Sequence, residues 1–278
     1  MSKDGRRSPR PRVRIQVVER LGELLHAFTP ERPVWQLHEL ERHLGWDKAT
    51  TYRFLRALED TEILERYEDG SYGVGVLALQ LAGTYAKHNP ALGVINQKIE
   101  EIAAETGLTV QVGMLVGKEV VVTSSVEGTS SLRVAAIIGQ RLTLHATAVG
   151  KAVLAEVSDE ERRELLPSRL PALTPHTVTT QAELAKMVRE VRETGLAEAH
   201  SEHVEGVWAI AVGLPAGIVG HSPAAVACVG PPPAGESSSQ WERAEELLRE
   251  LRAGLLQQAK LLRGLAEAPS GDPAVEVS

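Results

Sequence analysis

Gly45 is the residue that most constrains what this chain can fold into. It follows a short helical pattern from Leu37 to Leu44 and suits the C-terminal cap of that helix, while Asp47 suits the N-cap of a third helix running to Leu58. Two helices joined by a tight glycine turn result. An earlier helix is marked by Ile15, Val18, Leu21, Leu25 and Phe28 at helical spacing, and Pro30 and Pro33 stop it. Beyond the third helix, Ile63, Leu64 and Tyr67, the turn formers Glu68-Asp69-Gly70-Ser71, and then Tyr72 and Val74 read as a small β-hairpin, a wing.

The third helix carries the chemistry. Lys48, Arg53 and Arg56 are its basic residues up to Leu58 and no acidic one lies among them, while Thr51, Phe54, Leu55 and Leu58 form a face for packing. Such a helix fits a major groove. Lys48, Arg53 and Arg56 suit phosphates or guanine edges, and Thr50 and Tyr52 offer short hydrogen bonds to backbone or base. Thr51, and Ser71 in the wing, complete the candidate DNA-contacting set. Alone, a helix with scattered basic residues is more often plain solvated surface. The glycine turn before it and the hairpin after it favour DNA. The net charge of −7 does not oppose this, because acidic and basic residues balance over residues 1–75 and the acidic excess lies beyond.

At 278 residues a second domain is expected. Val76 to His88 has helical propensity, with Leu77 and Leu81 on one face, and Asn89-Pro90 opens another helix that ends at Gly107. Strand-like runs follow at Leu108–Val116, Glu119–Val126 and Leu132–Ile138, with Gly117-Lys118 turning the first into the second. Ser158 with Glu161, Thr180 with Glu183 and Ser239 with Glu242 form capping-box patterns that announce helices, separated by the strand-like Val207–Val219 and Ala224–Val229. The last helix, Gln240 to Gly264, repeats Trp241, Ala244, Leu248, Leu251, Leu255 and Leu262, a stripe for the core or for a subunit contact. The fold class is α+β. Cys228 is the single cysteine, no signal-peptide core follows the basic start, and the longest apolar stretch, Val207 to Gly220, is broken by Pro215. A cytoplasmic protein with no membrane contact is expected.

In Gly45 through Leu58, with Thr51-x-Arg53-x-Leu55 at its centre, and in Tyr72-Gly73-Val74-Gly75, the chain resembles the IclR family of bacterial regulators. The resemblance continues through Ala146-Thr147-Ala148-Val149-Gly150-Lys151-Ala152, Gly195-Leu196-Ala197, Glu202-His203, Gly206-Val207, Ala209-Ile210-Ala211 and Gly230-Pro231. It implies a winged helix-turn-helix domain at 12–75, a linker helix at 76–89 and a GAF-like effector domain at 90–264, between a basic arm at 1–11 and a tail at 265–278 whose compositions suggest disorder. It also implies a small-molecule effector and assembly as dimers or dimers of dimers; because one recognition helix reads too few base pairs for selectivity, two related by a two-fold axis and a pseudo-palindromic operator are expected. Glu62 stands where the family usually carries glycine, so a left-handed backbone would be strained there by about 1 kcal/mol.

For the effector, the resemblance implies a loop offering the N–H groups of Val149 and Gly150. In the glyoxylate-sensing members, acidic, thiol and hydroxyl side chains complete a polar cup. Here Ala199, Ala209, Ala227 and Val229 occupy those positions, so the cup is expected to be apolar. Met114, Leu144 and Trp208 are candidates to line it, and His145 to anchor a carboxylate. A mainly apolar or aromatic ligand, acids included, is the expectation.

Rival classes carry less. Gly220-His221-Ser222-Pro223-Ala224 imitates a nucleophile elbow, but His221 is the last histidine, whereas such hydrolases place theirs after the serine. Gly73-Val74-Gly75-Val76 imitates a dinucleotide fingerprint without the long strand before it. His200 and His203 with His145 lack the acidic or cysteine support a metal centre needs. Neither a catalytic group nor a cofactor is expected. A ligand-binding module acting through protein contacts alone is the alternative that the basic helix argues against.

Overall fold

The computed structural model describes residues 15–129, 137–233 and 238–267, and these divide into two units between Tyr85 and Ala86. In the first unit, α1 (Gln16–Ala27), α2 (Leu37–Leu44) and α3 (Lys48–Asp60) precede the hairpin β1 (Leu64–Arg66) and β2 (Tyr72–Val74). The turn forms as its residues require. Gly45 takes the left-handed conformation, φ 66°, and the Asp47 carboxylate accepts the Thr50 N–H at 2.9 Å as the N-cap of α3.

Leu24, Ala27, Leu40, Leu55, Leu58, Leu64, Tyr72 and Trp35 close one core. The Trp35 indole donates to the Ala27 carbonyl at 2.9 Å, and its main chain exchanges hydrogen bonds with Tyr72, which extends the hairpin by one short paired segment. The stripe expected on α1 is only partly used: Ile15 and Val18 are exposed, and burial starts at Leu24. Glu62 does adopt φ 58°, and its carbonyl accepts from Leu77 where the hairpin passes into α4 (Val76–His88). No residue of α4 is buried, although most of its side chains are apolar.

The second unit is a six-stranded antiparallel sheet. Its strands are β3 (Thr109–Val116), β4 (Glu119–Val126), β5 (Arg141–Leu142), β6 (Ala197–His200), β7 (Trp208–Leu214) and β8 (Ala224–Gly230), in the order β5-β4-β3-β8-β7-β6. Residues α5 (Pro90–Thr106) and α9 (Ser238–Glu267) supply the core on one face, through Ile95, Ile99, Ala244 and Leu248 against Val110, Val112 and Val226. On the other, α6 (Ala148–Ala155) and α8 (Gln181–Thr194) pack Val153, Leu184 and Val188 against Val120, Val122, Ala211 and Ala225. The short α7 (Asp159–Leu165) begins at its Ser158 cap.

Several expectations change. The α9 stripe from Trp241 to Leu255 is buried against the sheet, so it serves the core of its own unit. Ser239 lies inside the first turn of α9 instead of at its cap, and the helix runs on to Glu267. The small-residue loop before Leu154 is largely the helix α6. The strand expected at Leu132–Ile138 lies outside the described residues except for Ile137 and Ile138, and Ile137 accepts the Gln140 N–H in a turn. The arm at 1–11 and residues 268–278 of the tail also lie outside them.

Gly75 has no room for a side chain, because a methyl group there would overlap the Glu62 carbonyl oxygen. Gly83, on exposed α4, has nothing within 4 Å. Gly75→Ala should therefore lower the stability of the first unit by about 1–3 kcal/mol, whereas Gly83→Ala should raise helix stability by roughly 0.5–1 kcal/mol. Thermal unfolding of the two variants beside the parent chain checks both signs.

Candidate functional site

The outward row of α3 is Lys48, Ala49, Tyr52 and Arg53, all exposed, while Thr51, Leu55 and Leu58 face the core. Helical spacing sets this division. Among the described residues no carboxylate pairs with Lys48 or Arg53; the Arg53 guanidinium touches only the Thr50 hydroxyl, at 3.4 Å. Arg56 is different. It binds Glu59 at 2.8 Å and lies 3.6 Å from Asp60, which holds its charge partly satisfied and raises its pKa. Those two carboxylates lie just past the stretch whose charges drew attention to the helix.

Two candidates change role. Thr51 is enclosed, and its hydroxyl donates to the Asp47 carbonyl at 3.0 Å, so it locks the first turn of α3 and does not reach outward. Ser71 is buried too, its hydroxyl and N–H both given to Asp69 Oδ1 at 2.6 and 2.9 Å, which closes the hairpin turn. Thr50 is mostly buried but adjoins Arg53. The exposed residues of the wing tip are Glu65, Arg66, Tyr67, Glu68 and Asp69, predominantly acidic, a surface that phosphates repel.

In the second unit a cavity of about 150 Å³ opens between the sheet and the N-terminus of α6. Its apolar walls include Leu142, Ala146, Val207, Ala209, Ala199 and Val229; Gln111, Thr147, Glu202 and His203 are polar groups on its lining. Of the residues expected in the effector site, Val149, Ala199, Ala209 and Val229 line this cavity. Strand parity moves others away: Met114 and Trp208 belong to the opposite face of the sheet, with the α5–α9 core, and Trp208 stacks on His200 at 3.8 Å. Ala227 and Leu144 are packed beneath the cavity face without lining it. Gly150 is wedged against the Leu144 backbone, and its N–H is already given to the Thr147 hydroxyl at 3.0 Å. Ala148 and Val149, in the first turn of α6, carry N–H groups that the helix itself does not bond. His145 turns Nε2 to the Pro171 carbonyl at 2.9 Å and is no wall of the cavity.

The cavity is therefore not stripped of polarity. Gln111 reaches it from β3, and Glu202 and His203 from the turn after β6. Burial, with the charge of His145 adding to it, lowers the His203 pKa below the ordinary histidine range and favours the neutral ring. Among the described residues no group of three or more His, Cys, Asp or Glu side chains is arranged to hold a metal ion. Cys228 is buried in the core and its thiol is pushed up by desolvation.

The model of the bacterial transcriptional regulator IclR C-terminal domain matches residues 84–252, and that of the IclR helix-turn-helix domain matches residues 17–68. The chain belongs to the IclR family. It is a DNA-binding transcription regulator with an effector-binding C-terminal domain, not an enzyme. It is similar to the HTH-type transcriptional regulator Rv1719 of Mycobacterium tuberculosis, 31% identical across 70% of this chain and 75% of that protein. A solved IclR regulator from Silicibacter sp. shares the fold with a TM-score of 0.76 at 28% identity, covering 87% of this chain and 95% of that one. So does an IclR homolog of Microbacterium hydrocarbonoxydans crystallised with 4-hydroxybenzoate, at a TM-score of 0.72 and 23% identity over 88% of this chain and all of that one. Among the described residues no helix is long and apolar enough to cross a membrane.

Within this IclR domain the cavity wall depends on one buried ion pair. Lys151 of α6 places Nζ 2.5 Å from Glu202 Oε1 and 2.9 Å from the Glu198 carbonyl, with both side chains almost wholly enclosed. Burial depresses the Lys151 pKa, and the facing carboxylate of Glu202 opposes that shift. Lys151→Met leaves Glu202 buried without its cation and should cost about 3–5 kcal/mol, while Lys151→Met with Glu202→Leu should recover most of the loss. Chemical denaturation of the single and double variants measures the difference.

Proposed function

We propose that two copies of this chain read a pseudo-palindromic operator through Lys48, Tyr52 and Arg53 of each α3, and that a compact, mainly apolar or aromatic effector in the 150 Å³ cavity shifts them between DNA-competent and incompetent forms. Residues 12–75 are assigned to DNA reading, 76–89 to a linker helix and 90–264 to effector binding, in a cytoplasmic protein. The observation that carries the reading is the exposed row of α3, whose Lys48 and Arg53 stand clear of carboxylates among the described residues. One such helix reads too few base pairs for selectivity, and a two-fold axis doubles the site. Support for a second copy comes from α4, where Leu79 and Leu81 are 73% and 61% exposed; Leu77 is more covered than the sequence pattern suggests.

The cavity supports the effector class. Its volume is about that of an engineered apolar cavity that admits benzene, and small side chains at Ala199 and Ala209 leave room for one ring. The open N–H groups of Ala148 and Val149 at the start of α6 suit a carboxylate at one end of the ligand. The Microbacterium hydrocarbonoxydans relative, crystallised with 4-hydroxybenzoate, is an instance of the fold with an aromatic acid.

Three measurements test this. Arg53→Ala should remove sequence preference at a cost of about 1–3 kcal/mol, and Arg56→Ala should cost less, because Arg56 must first release Glu59. Footprinting with selected operators compares them; equal losses would count against the assignment. Leu81→Lys should dissociate the oligomer in light scattering, and a parent chain that is monomeric with and without DNA refutes the two-copy reading. Calorimetric titration should show monocyclic aromatic acids binding more tightly than glyoxylate or pyruvate, and the reverse order would overturn the effector class.

A further inference from the structure

Two side chains that line the cavity each carry an enclosed polar atom with no hydrogen-bond partner among the described residues. Glu202 Oε1 is taken by Lys151 and, more weakly, by the His200 N–H at 3.4 Å, but Oε2 is enclosed and has no hydrogen-bond partner. The Glu202 side chain is 7% exposed and lines the cavity. Its neighbour His203 lines it as well, and Nδ1 of that ring is also enclosed without a partner. A buried carboxylate oxygen left in this state is costly, and an ionised carboxylate can only accept. Whatever completes it must donate.

This fixes the orientation of an occupant. A carboxylate facing Glu202 would bring like charges together in a dry site, whereas the N–H groups of Ala148 and Val149 receive an anion at the start of α6. Ala199, Val207, Ala209 and Val229 are lining residues without a hydrogen-bonding side chain, beside the polar Gln111, Gln140 and Thr147. A ligand that meets these features is anionic toward the start of α6, apolar against the alanines and valines, and a donor where it meets Glu202.

We propose that the effector carries an O–H or N–H donor on its ring, given to Glu202 Oε2, and that Glu202 together with His203 of the same lining sets specificity for hydroxylated or amino-substituted rings over plain ones. The proposal rests on the cavity being the effector site. It goes further in assigning a donor requirement to Glu202 and His203.

Isosteric probes separate the two ideas. Titration calorimetry of the full chain with phenol against toluene, and with 4-hydroxybenzoate against 4-methylbenzoate, should show the hydroxyl compound of each pair binding more tightly by roughly tenfold to a hundredfold. Equal binding, or preference for the methyl compounds, overturns the donor requirement while leaving a ring-binding cavity standing. No binding of any of the four overturns both. Glu202→Gln should shrink the difference within each pair, and His203→Leu, which leaves the Lys151 pair intact, should shrink it without loss of thermal stability. If the difference persists undiminished in folded His203→Leu and Glu202→Gln chains, the donor is received elsewhere and the assignment is wrong.

Discussion

The buried contact between Lys151 and Glu202 is what the architecture of the second unit turns on. An ion pair removed from water gains little net stability, since desolvating both groups offsets their attraction. What it fixes is position. Lys151 sits one turn into α6, and Glu202 sits in the turn between β6 and β7, so their contact at 2.5 Å holds the start of the helix against that turn. The turn is fastened from the other side as well: the Thr174 hydroxyl donates to the Ser201 carbonyl at 2.7 Å and the Thr177 hydroxyl to the Glu202 carbonyl at 2.6 Å. Ser201 itself is left-handed, φ 57°, a strain that surrounding bonds such as these can hold. The walls of the cavity are thus positioned by polar contacts before any ligand enters.

Because helices cover both faces of the sheet, its central strands are apolar almost throughout, and alternation along them does not reveal which residues share a side. Volume does. The cavity face of β6, β7 and β8 carries Ala199, Ala209, Ala211, Ala225 and Ala227, whereas the opposite face carries Ile210, Val212, Leu214, Val226 and Cys228. Larger residues fill the α5–α9 side, and on the α6 side the alanines leave the space that becomes the cavity. Gly113 extends the same logic to β3, since a Cβ there would press on Val120 and Val149.

The first unit was legible in the sequence because local rules decide it. Gly45, Asp47 and the Glu68-Asp69-Gly70-Ser71 cluster each impose a backbone conformation on their own neighbours, and α2, α3 and the hairpin follow within a residue or so. The cavity was legible only in part. Val149, Ala199, Ala209 and Val229 follow from motif register, but Met114 and Trp208 required strand parity, which a run buried on both faces hides. Glu202 was visible as a motif residue, yet its partner Lys151 is 51 positions away. Gln111 gave no signal at all, being one polar residue in an apolar strand, although a polar residue in such a strand is itself a reason to look for a cavity.

Among the described residues of the first unit, charge leaves only a narrow part of α3 open to phosphate. Glu59 and Asp60 occupy Arg56, and Glu65, Glu68 and Asp69 make the wing tip a poor neighbour for phosphate. Asp47 adds a negative charge at the start of α3, and the Thr50 N–H bond holds its carboxyl below the usual range, which favours the ionised form. Among the described residues of this unit, Lys48 and Arg53 are the cations of α3 that carboxylates leave open, with Tyr52 exposed beside them. Ala49 between them has no side chain long enough to hold the helix away from base edges. On the two-copy proposal, a second α3 lengthens the site read by so short a row of contacts.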